Sequence, residues 1–220
     1  MKRFFLLCTA LTVAIFGAYS QRPSNFWTIK AGVNFSTFAN SDYSSEALTG
    51  FNVGVNRAFS ISDQSPIFFQ TGLAMEMKGA KNSYSIDGVE FKNTTKVYAL
   101  EVPMLMNIGF DLSQKSTLRP FVGLYYSFAL GGRIEADGES TNPFKKKSVT
   151  LGDGEESMES RIFNRSDFGV RVGVDYKYTK YSIGIAYDLG LTNVYAKKYR
   201  AQNYEANTGS FSINLGYFFD

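Results

Sequence analysis

The sequence predicts an all-β fold: an eight-stranded antiparallel up-and-down transmembrane β-barrel. Three observations predict it. Apolar and polar residues alternate with a period of two down most of the chain, the alternating runs outlast ordinary strands, and the links between runs are short and long in turn.

The first twenty residues stand apart from that pattern. Lys2 and Arg3 precede an apolar run from Phe4 to Phe16, and Ala18 and Ser20 put small residues just before Gln21. This is the three-part layout of a secretory signal peptide, and the run is too short for a membrane-spanning helix. The expected organisation is a signal peptide over 1–20 and a barrel domain over 21–220. Cys8 lies inside the apolar run, whereas a lipoprotein signal would place its cysteine at the cleavage point.

The eight runs cover 26–38, 50–61, 66–79, 96–110, 117–133, 166–178, 180–193 and 207–219. In the first, Trp27, Ile29, Ala31, Val33 and Phe35 oppose Thr28, Lys30, Gly32, Asn34 and Ser36. In the sixth, Phe168, Val170, Val172, Val174 and Tyr176 oppose Gly169, Arg171, Gly173, Asp175 and Lys177. In the seventh, Tyr181, Ile183, Ile185, Tyr187 and Leu189 oppose Ser182, Gly184, Ala186, Asp188 and Gly190. The eighth sets Phe211, Ile213, Leu215, Tyr217 and Phe219 against Ser210, Ser212, Asn214, Gly216 and Phe218. Each run is about 12 residues or longer, against a usual ~5–6. A tilted strand crosses a bilayer in roughly 9–11 residues. The links Ser62–Ser65, Asp111–Ser116 and around Thr179 are tight, while the others are long, up to the stretch from Ile134 to Arg165. Short turns on one rim and long loops on the other are the asymmetry of an outer-membrane barrel, and an even strand number puts both termini on the short-turn rim, expected to be periplasmic.

A soluble barrel would fill its inside with apolar residues. Here the small and charged residues share one face, so that face is assigned to the lumen and the apolar one to lipid. Trp27, Phe59, Phe69, Phe110, Tyr178, Tyr181 and Phe219 fall toward the short-turn rim, where an aromatic girdle belongs. The competing architectures are a secreted β-sandwich and a soluble ligand-binding barrel. The alternation places a lumen charge network of Lys30, Glu76, Lys78, Glu101, Arg133, Arg171, Asp175 and Asp188 on the inward face. Charges in so narrow a space have to pair, and Glu101 is the partner expected for Arg171.

Composition limits the chemistry. The 220 residues contain no His and one Cys, which removes triads built on an imidazole base, His-ligated zinc and any internal disulfide. The formal charge of +3 is too small a bias to point to nucleic acid. After the signal the longest uncharged stretch is the fourteen residues Ala206 to Phe219, short of a spanning helix.

Several stretches together resemble a known family: Tyr98-Ala-Leu-Glu-Val-Pro-Met-Leu, Ile29-Lys-Ala-Gly-Val-Asn-Phe-Ser, Phe69-Gln-Thr-Gly-Leu, Arg119-Pro-Phe-Val-Gly, Asp167-Phe-Gly and Leu215-Gly-Tyr-Phe-Phe. In order and spacing they are similar to the PorT-like outer-membrane β-barrel proteins of Bacteroidota. The family's strand motif reads Y-L-E-[VI]-P, and Ala99 is an added residue within it here. The resemblance implies an eight-strand outer-membrane barrel, with one member class linked to a secretion system.

No enzyme is expected. Ser166-Asp167 lacks a base for its hydroxyl, and the lumen carboxylates Glu101 and Asp188 are better explained as charges that satisfy one another than as a hydrolytic pair. No cofactor and no metal is expected. Asp153, Glu155, Glu156 and Glu159 offer oxygen donors without the spacing of an EF-hand loop. The expected partners are outer-membrane lipid and lipopolysaccharide, with Lys145-Lys-Lys and Ala196-Lys-Lys-Tyr-Arg as candidate phosphate contacts, and envelope or secretion-system proteins. The function this favours is structural or interactive. The alternative is a narrow channel or binder for a small solute.

Overall fold

A computed structural model of the chain describes residues 25–39, 45–62, 65–86, 89–136, 139–143, 147–150, 157–160, 163–194 and 206–219. The expected signal peptide, the acidic residues Asp153, Glu155 and Glu156, and the basic tracts Lys145–Lys146 and Ala196–Arg200 lie outside the described residues.

The strands in chain order are β1 (Phe26–Ala39), β2 (Ser45–Ser60), β3 (Ile67–Ile86), β4 (Val89–Ile108), β5 (Phe110–Ser113), β6 (Ser116–Ala136), β7 (Glu139–Thr141), β8 (Lys147–Thr150), β9 (Ser157–Ser160), β10 (Ser166–Tyr178), β11 (Tyr181–Gly190) and β12 (Asn207–Phe219). Eight of them form the wall, in the order β1-β2-β3-β4-β6-β10-β11-β12, and β12 pairs back onto β1. Every neighbour is antiparallel and next along the wall, so the sheet closes as an up-and-down barrel. Closure matters in lipid because an open edge would leave backbone groups unpaired.

The short-turn rim follows local chemistry. Between Tyr178 and Tyr181 the chain reverses through two residues, and Thr179 takes a φ of 52°. A two-residue hairpin demands a positive φ, which is uncommon for a non-glycine residue. The Thr179 amide donates to the Lys115 carbonyl at 2.7 Å, tying two neighbouring turns together.

On the other rim the strands run further than the alternation predicts. β3 and β4 are 20 residues each, and their ladder continues to the Ile86–Val89 pair, so the expected loop 80–95 is mostly hairpin. The segment 134–165 also departs from a plain loop. β7 pairs with the end of β6, and β8 and β9 form a separate two-stranded sheet. Acidic and basic residues interrupt the hydrophobic signal in these projections, yet Tyr84, Ile86, Val89 and Phe91 carry strand propensity at alternate positions.

The faces follow the alternation. Along β11 exposed and buried residues alternate without a break, with Ile183, Ile185 and Leu189 outward and Ser182, Ala186 and Asp188 inward. The lumen, expected to hold small and charged residues, also takes large aromatics, in two stoppers. At the short-turn end Phe26 lies 5.3 Å from Phe68 and 5.2 Å from Phe218, with Ala58 completing the cluster. The Arg119 guanidinium sits 4.3 Å from the Phe26 ring centre and 5.2 Å from that of Phe68. At the other end Phe38, Ala80, Ala129, Phe163 and Ala206 pack together.

Between the stoppers, glycines make room for rings. Gly169 pairs with Tyr125 and Gly173 with Phe121 across β10 and β6. A Cβ at Gly169 would lie 2.6 Å from the Tyr125 ring, and one at Gly173 would lie 2.4 Å from that of Phe121. Each ring therefore lies where its partner has no side chain, the pairing known as aromatic rescue of a strand glycine.

Candidate functional site

The centre of the lumen is a charge cluster drawn from four strands. β3 contributes Glu76 and Lys78, β4 Glu101, β10 Arg171 and β11 Asp188. All five point inward because they share the parity of the small residues on their strands. Arg171 and Asp188 are direct cross-strand partners. Glu101 reaches Arg171 past β6, where the residue paired with Arg171 is Gly123.

Each cation touches all three carboxylates. Lys78 Nζ lies 2.7 Å from Glu76 Oε2, 3.0 Å from Glu101 Oε2 and 3.1 Å from Asp188 Oδ2. Arg171 Nη2 is 2.9 Å from Glu76 Oε1 and 2.7 Å from Glu101 Oε1. It also donates to Asp188 Oδ2 at 2.7 Å, while Nε donates to Oδ1 at 2.5 Å, a fork on one carboxylate. Glu101 has no exposed surface at all. Three carboxylates against two cations leave one excess negative charge.

The cluster has an aromatic cover that the sequence reading missed. Tyr125 is fully buried, with Lys78 Nζ 4.7 Å and the Arg171 guanidinium 5.8 Å from its ring centre. Its hydroxyl donates to Asp167 Oδ2 at 3.3 Å, an atom that also accepts from Thr208 Oγ1 at 2.8 Å. Thr192 Oγ1 donates to Asp167 Oδ1 at 2.5 Å. The signal for Tyr125 was its parity with Phe121 and Gly123, set opposite the glycines of β10.

The structure brings five of the eight sequence-predicted lumen charges into one cluster and pairs two others separately. Lys30 Nζ lies 2.5 Å from Asp175 Oδ2 and 5.3 Å from the Phe121 ring centre. Arg133 is the exception. It lies exposed on the outer face, 3.7 Å from Glu135, beside Lys96. The cause is a register shift in β6: Ala99 pairs with Ala129 but Tyr98 pairs with Gly131, so one extra residue reverses the parity beyond it. Arg171 is indeed in contact with Glu101, but its forked partner is Asp188.

Toward the short-turn end, a cavity of about 50 Å³ lies against this cluster, lined by Lys30, Asn56, Gln70, Glu76, Arg171 and Asn214 among others. The oxygen donors of Glu76, Glu101 and Asp188 lie within 4.8 Å of one another. Lys78 and Arg171 already engage them, so the arrangement is an ion-pair network and not an open set of ligands.

Comparison with known proteins matches the chain to the family described as "Outer membrane protein beta-barrel domain" over residues 19–196. No curated protein matches it in sequence. Among solved structures, the attachment invasion locus protein Ail of Yersinia pestis is 11% identical with a TM-score of 0.43, over 90% of this chain and 100% of Ail. Neisserial surface protein A is 15% identical with a TM-score of 0.46, over 89% of this chain and 99% of that one. The outer membrane enzyme PagL is 9% identical with a TM-score of 0.41, over 84% of this chain and 98% of PagL. The family pattern spans most of the closed wall described above, and the chain belongs to the outer membrane protein β-barrel domain family.

Proposed function

We propose that this protein is a closed, non-conducting barrel of the outer membrane of a Gram-negative bacterium, working as a structural and interaction component of the envelope. The observation that carries this reading is the ion cluster of Glu76, Lys78, Glu101, Arg171 and Asp188, which crosses the lumen between two aromatic stoppers. A pore needs a continuous wet path, and buried charges that satisfy one another close it. What remains available for work is the outer surface: the projecting β3–β4 hairpin and the segment from β7 to β9.

In this reading the signal peptide 1–20 is removed on export, and residues 21–220 form the barrel with both termini in the periplasm. Phe26 and Phe219, the first and last strand residues, lie on the short-turn rim, which supports that orientation. Lipopolysaccharide is the expected partner on the opposite rim, where Lys81, Lys96 and Arg133 face outward. The PorT-like resemblance suggests a place in a secretion or envelope assembly. No catalytic role is assigned: the chain has no histidine, and the buried carboxylates are engaged by Lys78 and Arg171.

The rival reading, a binder or narrow channel for a small solute, draws on the cavity beside Arg171. Its ~50 Å³ suits a few water molecules, far below the roughly 300–1,000 Å³ of ligand pockets. Single-channel recording in a planar bilayer decides between them. The closed reading expects no steady current, and a persistent ohmic current would make solute passage the function. Purification in mild detergent should then recover a stoichiometric envelope partner.

A further inference from the structure

Arg57 is an outward-facing cation at the lower edge of the lipid-facing band. On β2 the inward residues are Asn56 and Ala58, so Arg57 points away from the lumen. It pairs with Trp27 of β1 and Thr71 of β3. The next residues up the wall on that face are Ile29, Val55 and Leu73, all exposed and apolar. A charge there is out of place in hydrocarbon and belongs at the headgroup level.

Its surroundings give it one orientation. The guanidinium carbon lies 5.2 Å from the Trp27 ring centre and 5.0 Å from that of Phe59. Its Nε is shielded from solvent and has no hydrogen-bond partner. Among the described residues, no carboxylate lies within ion-pair distance of it. A guanidinium packed against two aromatic rings keeps its N–H donors in one plane, the fork that fits two phosphate oxygens. The two aromatics supply the apolar floor that a glycerol backbone and upper acyl chain would cover.

We propose that Arg57, Trp27 and Phe59 form a docking site for the phosphate group of a membrane phospholipid, with anionic lipid preferred. The occupant is a lipid because the site faces the bilayer and adjoins the apolar band directly. The lack of a counter-ion among the described residues and the shielded Nε call for a negative partner that also excludes water.

Trp27 is the single tryptophan of the chain, so its emission reports on this site alone. The experiment reconstitutes the purified protein in phosphatidylcholine vesicles. Brominated phosphatidylglycerol or brominated phosphatidylcholine is titrated in, and Trp27 quenching gives the relative association of each lipid. Wild type should prefer phosphatidylglycerol about fivefold, the effect of one basic residue at an anionic surface. Arg57→Gln should abolish the preference and Arg57→Lys should retain part of it. Heat-dependent gel mobility would verify that each variant is folded. If Arg57→Gln does not insert, the Lys variant and the wild-type preference carry the test. No preference in wild type overturns the proposal. A preference that survives Arg57→Gln also overturns it and passes the site to Lys115 and Lys180, exposed in turns of the same rim. Relief of quenching by excess inorganic phosphate would show a free-anion site and overturn the lipid assignment.

Discussion

The excess negative charge of the lumen cluster makes a quantitative prediction: losing Arg171 should cost far more than losing Glu101. Arg171→Met removes the cation that contacts Glu76, Glu101 and Asp188, leaving three carboxylates with Lys78 alone. Their oxygens lie within 4.8 Å of one another. At an effective dielectric of about 20, each like-charge pair at such a distance repels by about 3 kcal/mol before relaxation. Breaking a buried ion pair from one side typically costs about 3–5 kcal/mol, and that is the loss expected here. Glu101→Gln instead brings the cluster to balance. Arg171 keeps its fork on Asp188 and Lys78 keeps Glu76, so the loss should stay below about 1.5 kcal/mol.

The double variant separates pairing from mere proximity. With Gln at position 101, removal of Arg171 leaves two carboxylates facing Lys78, and two of the repulsive pairs are gone. The combined loss should fall short of the summed single losses by about 2 kcal/mol. The assay is unfolding in urea from lipid vesicles, followed by Trp27 emission and gel mobility. Losses that add within about 0.5 kcal/mol would refute the network, as would a Glu101→Gln variant less stable than Arg171→Met.

Three further outcomes follow from the faces and the stoppers. Ile185→Lys, on a half-exposed outward position near mid-wall, should lower insertion into vesicles by about 2–4 kcal/mol, while Ala186→Ser on the lumen side should insert normally. Gly169→Ala should destabilise the barrel although it adds one methyl, because the Cβ meets the Leu189 carbonyl as well as the Tyr125 ring; an unfolding midpoint equal to wild type would show that Tyr125 packs elsewhere. Excision of 147–160 should leave thermal stability unchanged, since among the described residues β8 and β9 pair only with each other. Excision of 138–158 should lower it, because that cut removes Pro143, whose carbonyl accepts from the Phe163 amide in the outer stopper. Equal melting of the two deletions would show that the stopper does not depend on Pro143.

How much of this was legible in the sequence depended on how local the signal was. Strand parity is local: Lys30 predicts Asn34, and Arg171 predicts Asp175, because a period of two needs nothing from other strands. That was enough for the wall, the lipid face and seven of the eight lumen charges. Arg133 escaped because one extra residue between Ala129 and Gly131 reverses the pattern, and Leu130-Gly131-Gly132 carries no mark of which residue is unpaired. Depth around the ring is not local either. That Arg171 forks onto Asp188 follows from the β10–β11 register, which the two-residue turn at Thr179 fixes, and this was within reach. That Lys78 joins the same cluster depends on the stagger of β3 against β11, strands that never touch in the sheet.

The lumen aromatics show the deeper limit. Phe26, Phe68, Phe121, Tyr125 and Phe218 have inward parity, yet an aromatic on a barrel strand reads first as a lipid-facing residue. Only volume settles it. Gly169 and Gly173 leave space opposite Tyr125 and Phe121, and the rings fill what would otherwise be voids beside buried charge. Those voids would admit water, weaken every ion pair in the cluster and open a path along the axis. The glycines of β10, unremarkable as single residues, are therefore what allows the barrel to be shut by its own side chains. The same strand that supplies Arg171 supplies the room for the Tyr125 ring that packs beside it.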